Sequence, residues 1–464
     1  MSIRDEFRYP SRRNVLKGVA LGAIASLGHQ QVCDATGPAV LSRETGETIS
    51  VDVLVCGGGP AGIAATLMAA RQGCSTLLVE RYGRLGGMAV QAMVGPLMGT
   101  VQSTWVDRIL EHIGGRRVDY EFIDLRYAEL LQEANARFLL HASVYAPLFG
   151  DNRVAGVRLL TKRGTVDVLA KVTVDATGDG DVAFLAGAGY DQGRGAGPSW
   201  QADGLCQPMS IMFRVSGVNN AETMEAKGGR HGYHFPDGRT WNQLTEEACA
   251  RGELPPTVGF IRTYASRRDD ERVINATQVN GLDGTNAPDL TKAEMEGRRQ
   301  VQPILEFLKK HAPGFQNAYV SGMPAVIGVR ETRRIHGLVQ LTLDDVQTGR
   351  KSDTAVVRGV SFPVDIHNPS GIGQAMGHYP GKDPEVQPYD IPYGCLVPEK
   401  VNGLLTAGRC ISGTHEAMAS YRVQVIAMAT GIAAGTAAAV AAGESIEPRD
   451  VNVGKIQNIV FETA

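Results

Sequence analysis

The first clear pattern along the chain is an apolar run, Val53-Leu54-Val55-Cys56, that stops at Gly57-Gly58-Gly59-Pro60-Ala61-Gly62. An alanine-rich stretch with helical character follows to Gly73, and a second run, Ser75-Thr76-Leu77-Leu78-Val79, ends at Glu80. Short continuous apolar runs bounded by turn residues fit strands buried on both faces, so the order predicted is strand, glycine turn, helix, strand, acid. Pro60 suits the first helical turn, where no N–H partner is lost, and Gly73 suits the helix C-terminus. The first strand is predicted to start near Val51, after a polar linker at Glu44–Ser50. Further on, Ser103 to Ile113 reads as a helix with Ser103 as N-cap and Gly114 as stop, and Leu125 to Ala136 as another. A β pattern then runs through Phe138–Leu140, Val144–Leu148, a turn at Gly150-Asp151-Asn152, Val154–Leu160 and Val166–Val174. The middle of the chain, about 200 to 395, mixes strands and loops, with Thr291 to His311 its clearest helix. Gly403 to Ala442 returns to strand, glycine turn and a long alanine-rich helix.

The apolar span Val423–Ala442 approaches membrane-spanning length. It is mostly Ala and Gly, interrupted by Gln424 and Thr430, and reads as a buried helix. The Gly431-x-x-x-Gly435 spacing then means close helix packing.

The glycine turn carries a specific chemistry. Gly57 permits the tight exit from the strand, Gly59 lets backbone approach a pyrophosphate, and Gly62 lets helix pack closely on sheet. The helix N-terminus, at Pro60 and Ala61, aims unpaired N–H groups at phosphate charge. Glu80 lies about 20 residues on, where a carboxylate binds ribose hydroxyls. The bland alternative is a glycine turn in some other α/β protein. The strand before, the helix after and Glu80 favour a dinucleotide, without deciding between FAD and NAD.

Size and charge narrow the class. The 464 residues suffice for two or three packed units, and 43% hydrophobic with 20% charged residues is ordinary for a soluble globular protein. Lys+Arg 46 against Asp+Glu 49 leaves no basic surplus for nucleic acid. Ser11-Arg12-Arg13-Asn14-Val15-Leu16-Lys17, followed by the mild apolar run Gly18–Gly28, reads as a twin-arginine export signal over residues 1–35. Val15 departs from the usual pattern, which favours Phe there. Export predicts a periplasmic location, reached through the twin-arginine translocase, with no membrane-spanning segment in the mature chain. None of the seven cysteines forms a C-x-x-C pair. Cys33 falls in the signal region, Cys56 inside the first strand, and Cys395 and Cys410 can meet across adjacent strands. No His/Cys cluster has zinc-ligand spacing.

Two later segments repeat the strand-to-glycine-turn theme. Val174-Asp175-Ala176-Thr177-Gly178-Asp179-Gly180-Asp181 is one; its alternating acids suggest a calcium loop, but too few acids follow for an EF-hand. Leu404-Leu405-Thr406-Ala407-Gly408-Arg409-Cys410-Ile411-Ser412-Gly413 is the other, with His415, Glu416, Tyr421 and Arg422 beyond it. With Leu85-Gly86-Gly87-Met88 and Gly328-Val329-Arg330-Glu331-Thr332-Arg333-Arg334-Ile335, these pieces fall in an order that resembles the FAD-dependent oxidoreductases of the glutathione-reductase-like superfamily. Within it, the chain resembles a bacterial branch near the fumarate reductase and succinate dehydrogenase flavoproteins. The resemblance spans Asp52 to Val440. Thr66 departs mildly from it, standing where a smaller residue is usual.

The resemblance implies an α/β fold: a three-layer Rossmann-like FAD domain of glutathione-reductase type, with an inserted α+β substrate domain. The FAD domain takes residues 50–200 and 396–445, the substrate domain 201–395, and a tail 446–464. It implies FAD rather than NAD. Gly57, Gly59, Pro60, Ala61 and Gly62 line the pyrophosphate and Glu80 holds the ribose. Gly86, Gly87 and Met88 lie near the flavin, Thr177, Gly178 and Asp179 close the adenosine end, and Gly408 and Arg409 reach the isoalloxazine. His415 is favoured to handle a proton or orient substrate, and Arg330 and Arg333 to bind a substrate carboxylate or the cofactor; Arg334 reads as solvated. His336, His367 and His378 carry no catalytic signal, and Tyr389 and Tyr393 can line a pocket. The expected activity is oxidation of a small polar organic substrate by hydride transfer to flavin N5. Gly371-Ile372-Gly373-Gln374-Ala375-Met376-Gly377 has the wrong spacing for a second dinucleotide turn. Electrons are therefore expected to pass to a quinone, a redox protein or oxygen. The alternatives are a fumarate-reductase-like C=C reductase and a non-catalytic flavin or electron-transfer protein.

Overall fold

Six strands in chain order open the molecule: β1 (Glu44–Cys56), β2 (Thr76–Val79), β3 (Arg137–Leu139), β4 (Ser143–Gly150), β5 (Arg153–Thr161) and β6 (Gly164–Asp175). They join one sheet in the order β3-β2-β1-β6-β5-β4, and the late strand Leu404–Thr406 also pairs with β6. This computed structural model describes residues 44–195, 203–224, 226, 234–372 and 385–462. The twin-arginine segment, Cys33, Gly373–Gly377 and His378 lie outside those residues.

β3, β2, β1, β6 and Leu404–Thr406 run parallel, while β4 and β5 form an antiparallel meander on the β6 side. β6 changes neighbours along its length: residues 164–169 pair with β5, and residues 173–175 pair with Leu404–Thr406. The register is what matters for function. Cys56 stands opposite Val79 and Asp175, and Asp175 stands opposite Thr406. Four strands thus end in one row, and the loops leaving them share a single crevice at the carboxyl edge, where open α/β sheets bind ligands.

The predicted polar linker is instead the start of β1. Thr48, Ile49 and Ser50 pair with Asp167, Val168 and Leu169, so the long β6 draws the preceding residues into the ladder. The helix Pro60–Arg71 starts with Gly59 as N-cap and Pro60 at its first position, and Gly73 beyond its end has φ +84. It packs against the helix Gln424–Glu444, whose apolar window is 94% buried inside the protein. A Cβ on Gly431 would sit 2.0 Å from the Ala61 carbonyl oxygen, and one on Gly435 2.1 Å from that of Ala65. The small residues therefore serve helix contact, as their spacing predicts. Thr66 is fully buried there and donates its hydroxyl to the Gly62 carbonyl at 2.8 Å.

The remaining strands are β7 (Tyr190–Gln192), β8 (Phe213–Ser216), β9 (Arg262–Ala265), β10 (Arg272–Asn275), β11 (Tyr319–Gly322), β12 (Arg333–Ile335), β13 (Ala355–Val360), β14 (Tyr389–Pro392) and β15 (Leu404–Thr406). An antiparallel sheet, β11-β8-β10-β9, has its own apolar cluster from Met209 to Ile327, centred on Trp241, Phe307 and Phe315. The helices Trp241–Ala250 and Ala287–His311 contribute to it. Val356, Val360, Ile366, Tyr389, Ile391 and Cys395 belong instead to the core of the parallel sheet and its helices. The second core is thus confined to roughly the first two-thirds of the expected insert. Within the C-terminal tail, residues 453–460 form a helix: Ile456 and Val460 are buried in the main core, and Trp105 donates to the Ile459 carbonyl. Cys395 and Cys410 are buried free thiols.

Candidate active site

A cavity of about 450 Å³ starts in the crevice at the strand ends and extends to the second sheet. Its wall includes Gly57, Gly59, Pro60 and Ala61 from the first turn, Gly87 and Met88, Thr177, Gly178 and Asp179, and Gly408 and Arg409. Glu80 and Arg330 also line it. Gly62 and Gly86 stand just behind the wall and shape it. A Cβ on Gly62 would lie 1.8 Å from the Gly57 carbonyl oxygen, and Gly86 N–H donates to the Gly58 carbonyl at 2.7 Å. Gly57 takes φ +105, with a Cβ position 2.4 Å from the Ala176 carbonyl oxygen. At Gly59, by contrast, the nearest atom to a built Cβ is Gly87 Cα at 3.9 Å, which leaves the turn open for close ligand approach.

Glu80 is buried and organises the same turn. One carboxylate oxygen accepts from Gly58 N–H at 2.6 Å and the other from Tyr82 N–H at 2.8 Å. Each oxygen keeps acceptor capacity for a hydroxyl. Asp175 is spent on the next turn: it accepts from the Thr177 hydroxyl at 2.7 Å and from Ala183 N–H at 2.9 Å. Burial first of all raises its carboxyl, to about 6. Asp179 joins two turns, bound by Arg409 at 2.5 Å and by the Thr332 hydroxyl at 2.8 Å, with Arg81 at 3.8 Å. Arg409 is therefore anchored to Asp179. Its Nη1 is buried without a protein partner.

The expected catalytic residues separate. Arg330 lines the cavity; Arg333 and His415 do not. Arg333 clamps the Asp179–Asp181 turn, donating to Asp181 at 3.0 Å and lying over the Phe184 ring at 4.0 Å. That contact and its pairing in β12 give it a structural place. His415 begins the helix His415–Tyr421, capped by Thr414, and its Nδ1 lies 2.8 Å from the Glu331 carboxylate. Its Nε2 is buried with no partner. Burial alone would raise Glu331; His415, Arg334 and the Gln207 N–H together hold it below its usual range. Arg334, expected in solvent, is buried, with Nη1 on Glu331, Nε on the Gly413 carbonyl and Nη2 on the Gly193 carbonyl. Tyr389 and Tyr393 are core residues bonded to Ser420 and to the Pro448 carbonyl. His336 pairs with Asp191 at 3.1 Å.

At the end of the cavity remote from Glu80 stands a group with no signature in the sequence. Arg262 and Tyr264 come from β9, Asn275 from β10, Asp365 and His367 from the loop after β13, and Arg422 from the residue pair before the last long helix. Arg330 donates to the Pro208 carbonyl and the Ser210 hydroxyl, both at 2.7 Å. Arg422 holds Asp365 through its carbonyl at 2.8 Å and its carboxylate at 3.2 Å, and its Nε is buried without a partner. Arg262 lies over the Phe260 ring at 4.5 Å. Burial, then Arg422, lowers Arg330 to about 9. Burial would raise Asp365, but His367 and the arginines bring it down to about 2. Burial, and then Arg330, push His367 well below its ordinary range, so its ring is neutral. These residues are scattered over some 160 positions of sequence, and no local spacing announces them.

A parallel sheet with a glycine turn, a buried acid at the second strand and a crevice of backbone donors defines a nucleotide-cofactor enzyme of the α/β class. The chain belongs to the family described as FAD dependent oxidoreductase, which matches residues 52–460. Solved structures with a similar fold include a geranylgeranyl bacteriochlorophyll reductase-like protein from Thermoplasma acidophilum, at 14% identity over 89% of this chain and 82% of that one, TM-score 0.45. The myxobacterial chondrochloren halogenase matches at 12% identity over 89% and 78%, TM-score 0.45. A flavin-dependent brominase matches at 13% over 85% and 80%, TM-score 0.43. Likenesses this distant carry neither reaction nor substrate. FAD is the cofactor of the family, and the residues present fit it: the open backbone at Gly59, the acceptor capacity of Glu80 and the unpartnered Nη1 of Arg409 all face or border the cavity.

Proposed function

We propose that this chain holds FAD in a glutathione-reductase-type arrangement and oxidises a small polar organic substrate by hydride transfer to flavin N5. The supporting observation is the single cavity that joins the Gly57–Gly62 turn and Glu80 to the group Arg262, Arg330, Asp365, His367 and Arg422. Bound FAD supplies a two-electron acceptor. The chain's own residues do the rest. Gly59, Gly87 and the start of the helix Pro60–Arg71 receive the pyrophosphate, and Glu80 the ribose. The Arg330 guanidinium, fixed by Pro208 and Ser210, orients the substrate. As a hydroxyl-bearing carbon gives up hydride and becomes a carbonyl carbon, its oxygen gives up a proton. His367 lines the cavity with a neutral ring and is the group placed to take that proton. Asp365 stands 3.8 Å from His367 Nε2, where its charge favours the protonated ring. His415, held by Glu331 behind the wall, acts by positioning.

The electrons then pass to an acceptor other than nicotinamide, in keeping with the lack of a second dinucleotide turn in the sequence. Export through the twin-arginine route, argued from Arg12 and Arg13, agrees with such an acceptor.

Purified protein should be yellow, and anaerobic addition of one member of a panel of sugars, hydroxy acids and amines should bleach it. His367→Gln should slow bleaching at least tenfold with FAD retained, and His415→Ala should slow it less. The reverse order would move the proton to His415. A colourless protein that takes up no FAD would end the proposal.

A further inference from the structure

Among the described residues, five carboxylates and five guanidinium groups line the cavity, but they are unevenly distributed. At the cofactor end Glu80 is held by the Gly58 and Tyr82 N–H groups, and the other carboxylates there have cationic partners. Asp179 is bound by Arg409 and Arg81, and Asp181 by Arg333. Away from that end, on the wall beside Val326 and Ile327, Glu294 is bound by Arg298. At the remote end three guanidinium groups, Arg262, Arg330 and Arg422, share the wall with one carboxylate, Asp365. Among the described residues Asp365 pairs with Arg422, while Arg262 and Arg330 form no ion pair. His367 is neutral and adds no charge. Among the described residues this leaves two positive charges over in a partly buried recess. Gathering like charges out of water is costly unless an opposite charge completes the group.

The donors are also arranged to receive a planar anion. Arg330 is held by two acceptors on one nitrogen, and its second nitrogen makes a long 3.5 Å contact with Asn275. Arg422 spends one nitrogen on Asp365 and leaves Nε unsatisfied. Arg262 makes no hydrogen bond to the described residues and is stacked on Phe260. Fixed guanidinium forks with free N–H groups match carboxylate geometry. Tyr264 and Asn275 add neutral polar edges beside them.

We infer that the substrate is a carboxylate-bearing anion, bound at the remote end of the cavity by Arg262, Arg330 and Arg422 around Asp365. This deepens the flavoenzyme reading above and rests on it for the chemistry, but not for the binding. It narrows the panel of small polar substrates to acids.

The test is calorimetric titration of the FAD-loaded protein with malonate in low salt, with glycerol as the uncharged counterpart, read in parallel by the visible flavin spectrum. Malonate should bind and perturb the spectrum, and glycerol should do neither. Arg262→Gln removes a side chain with no structural ion pair; it should weaken malonate binding about tenfold or more while flavin content stays unchanged. Arg422→Lys, which keeps the charge and loses the fork, should weaken it less. The inference is overturned if malonate and glycerol behave alike, or if Arg262→Gln leaves malonate affinity unchanged. It is also overturned if that variant sheds FAD while its remaining holoprotein binds malonate normally, because the arginine then serves the cofactor. If the protein takes up no FAD, the flavoenzyme reading fails, and the heat of malonate binding to the same protein still decides the arginine site.

Discussion

The Gly57–Glu80 segment and the group of Arg262, Arg330 and Arg422 line one cavity, yet they are built in opposite ways. The first is a continuous stretch whose parts touch: Gly62 packs on Gly57, and Glu80 takes the Gly58 N–H. It is made of backbone, and glycine is required because a Cβ would collide. The second is made of side chains delivered by β9, the segment after β11, the loop after β13 and the start of the last long helix. Its requirement is charge. Backbone sites are rigid and general, suited to a cofactor shared by many enzymes. Side-chain sites are cheap to alter and set what is specific.

That contrast can be broken at several points. The largest effect belongs to Gly62→Val: with a Cβ position 1.8 Å from the Gly57 carbonyl, the turn cannot close, and expression should yield no soluble yellow protein. Soluble variant with full flavin content would refute the backbone account. Glu80→Gln should come next, weakening FAD about tenfold by dialysis against buffer, while holoprotein that remains binds malonate as the parent does. Loss of both together would mean that the two ends are not separable. Gly431→Ala places a methyl group 2.0 Å from the Ala61 carbonyl, so the two helices must part. A cost of about 1–3 kcal/mol is expected from such overpacking, visible as a lower midpoint in denaturant. The smallest effect is a null one. His367 is held neutral well below its usual range and Asp365 is held down to about 2. Neither changes charge between pH 6 and 8, since a lowered pKa moves the transition of each below that window. Malonate affinity should therefore stay flat there; tightening toward pH 6 would reveal an imidazolium in the pocket.

How much of this was legible in the chain follows the same division. The strand, turn, helix and acid from Val53 to Glu80 are dictated by local sterics, and sequence alone places them. Ser103 as N-cap is another local device, accepting from Val106 N–H at 3.3 Å. The start of β1 was missed because Thr48–Ser50 are ordered by their partners on β6, a non-local cause. Arg333 and Arg334 lie beside Arg330 in sequence and look equivalent, but the short β12 sends them to Asp181 and Glu331 instead. His367 carries no motif, and its importance arises from Asp365 and Arg330, residues placed beside it by the tertiary fold. The export reading of Arg12 and Arg13 rests on the sequence alone.

If the cavity pairs an FAD site with an anion site, charge on the substrate decides whether the flavin is reduced. Anaerobic mixing of the yellow holoprotein with matched pairs of hydroxy acids and their uncharged amides or alcohols tests it directly. A hydroxy acid should bleach the flavin and its uncharged partner should not, with the difference lost in Arg262→Gln. Bleaching by the uncharged partner at an equal rate would contradict it.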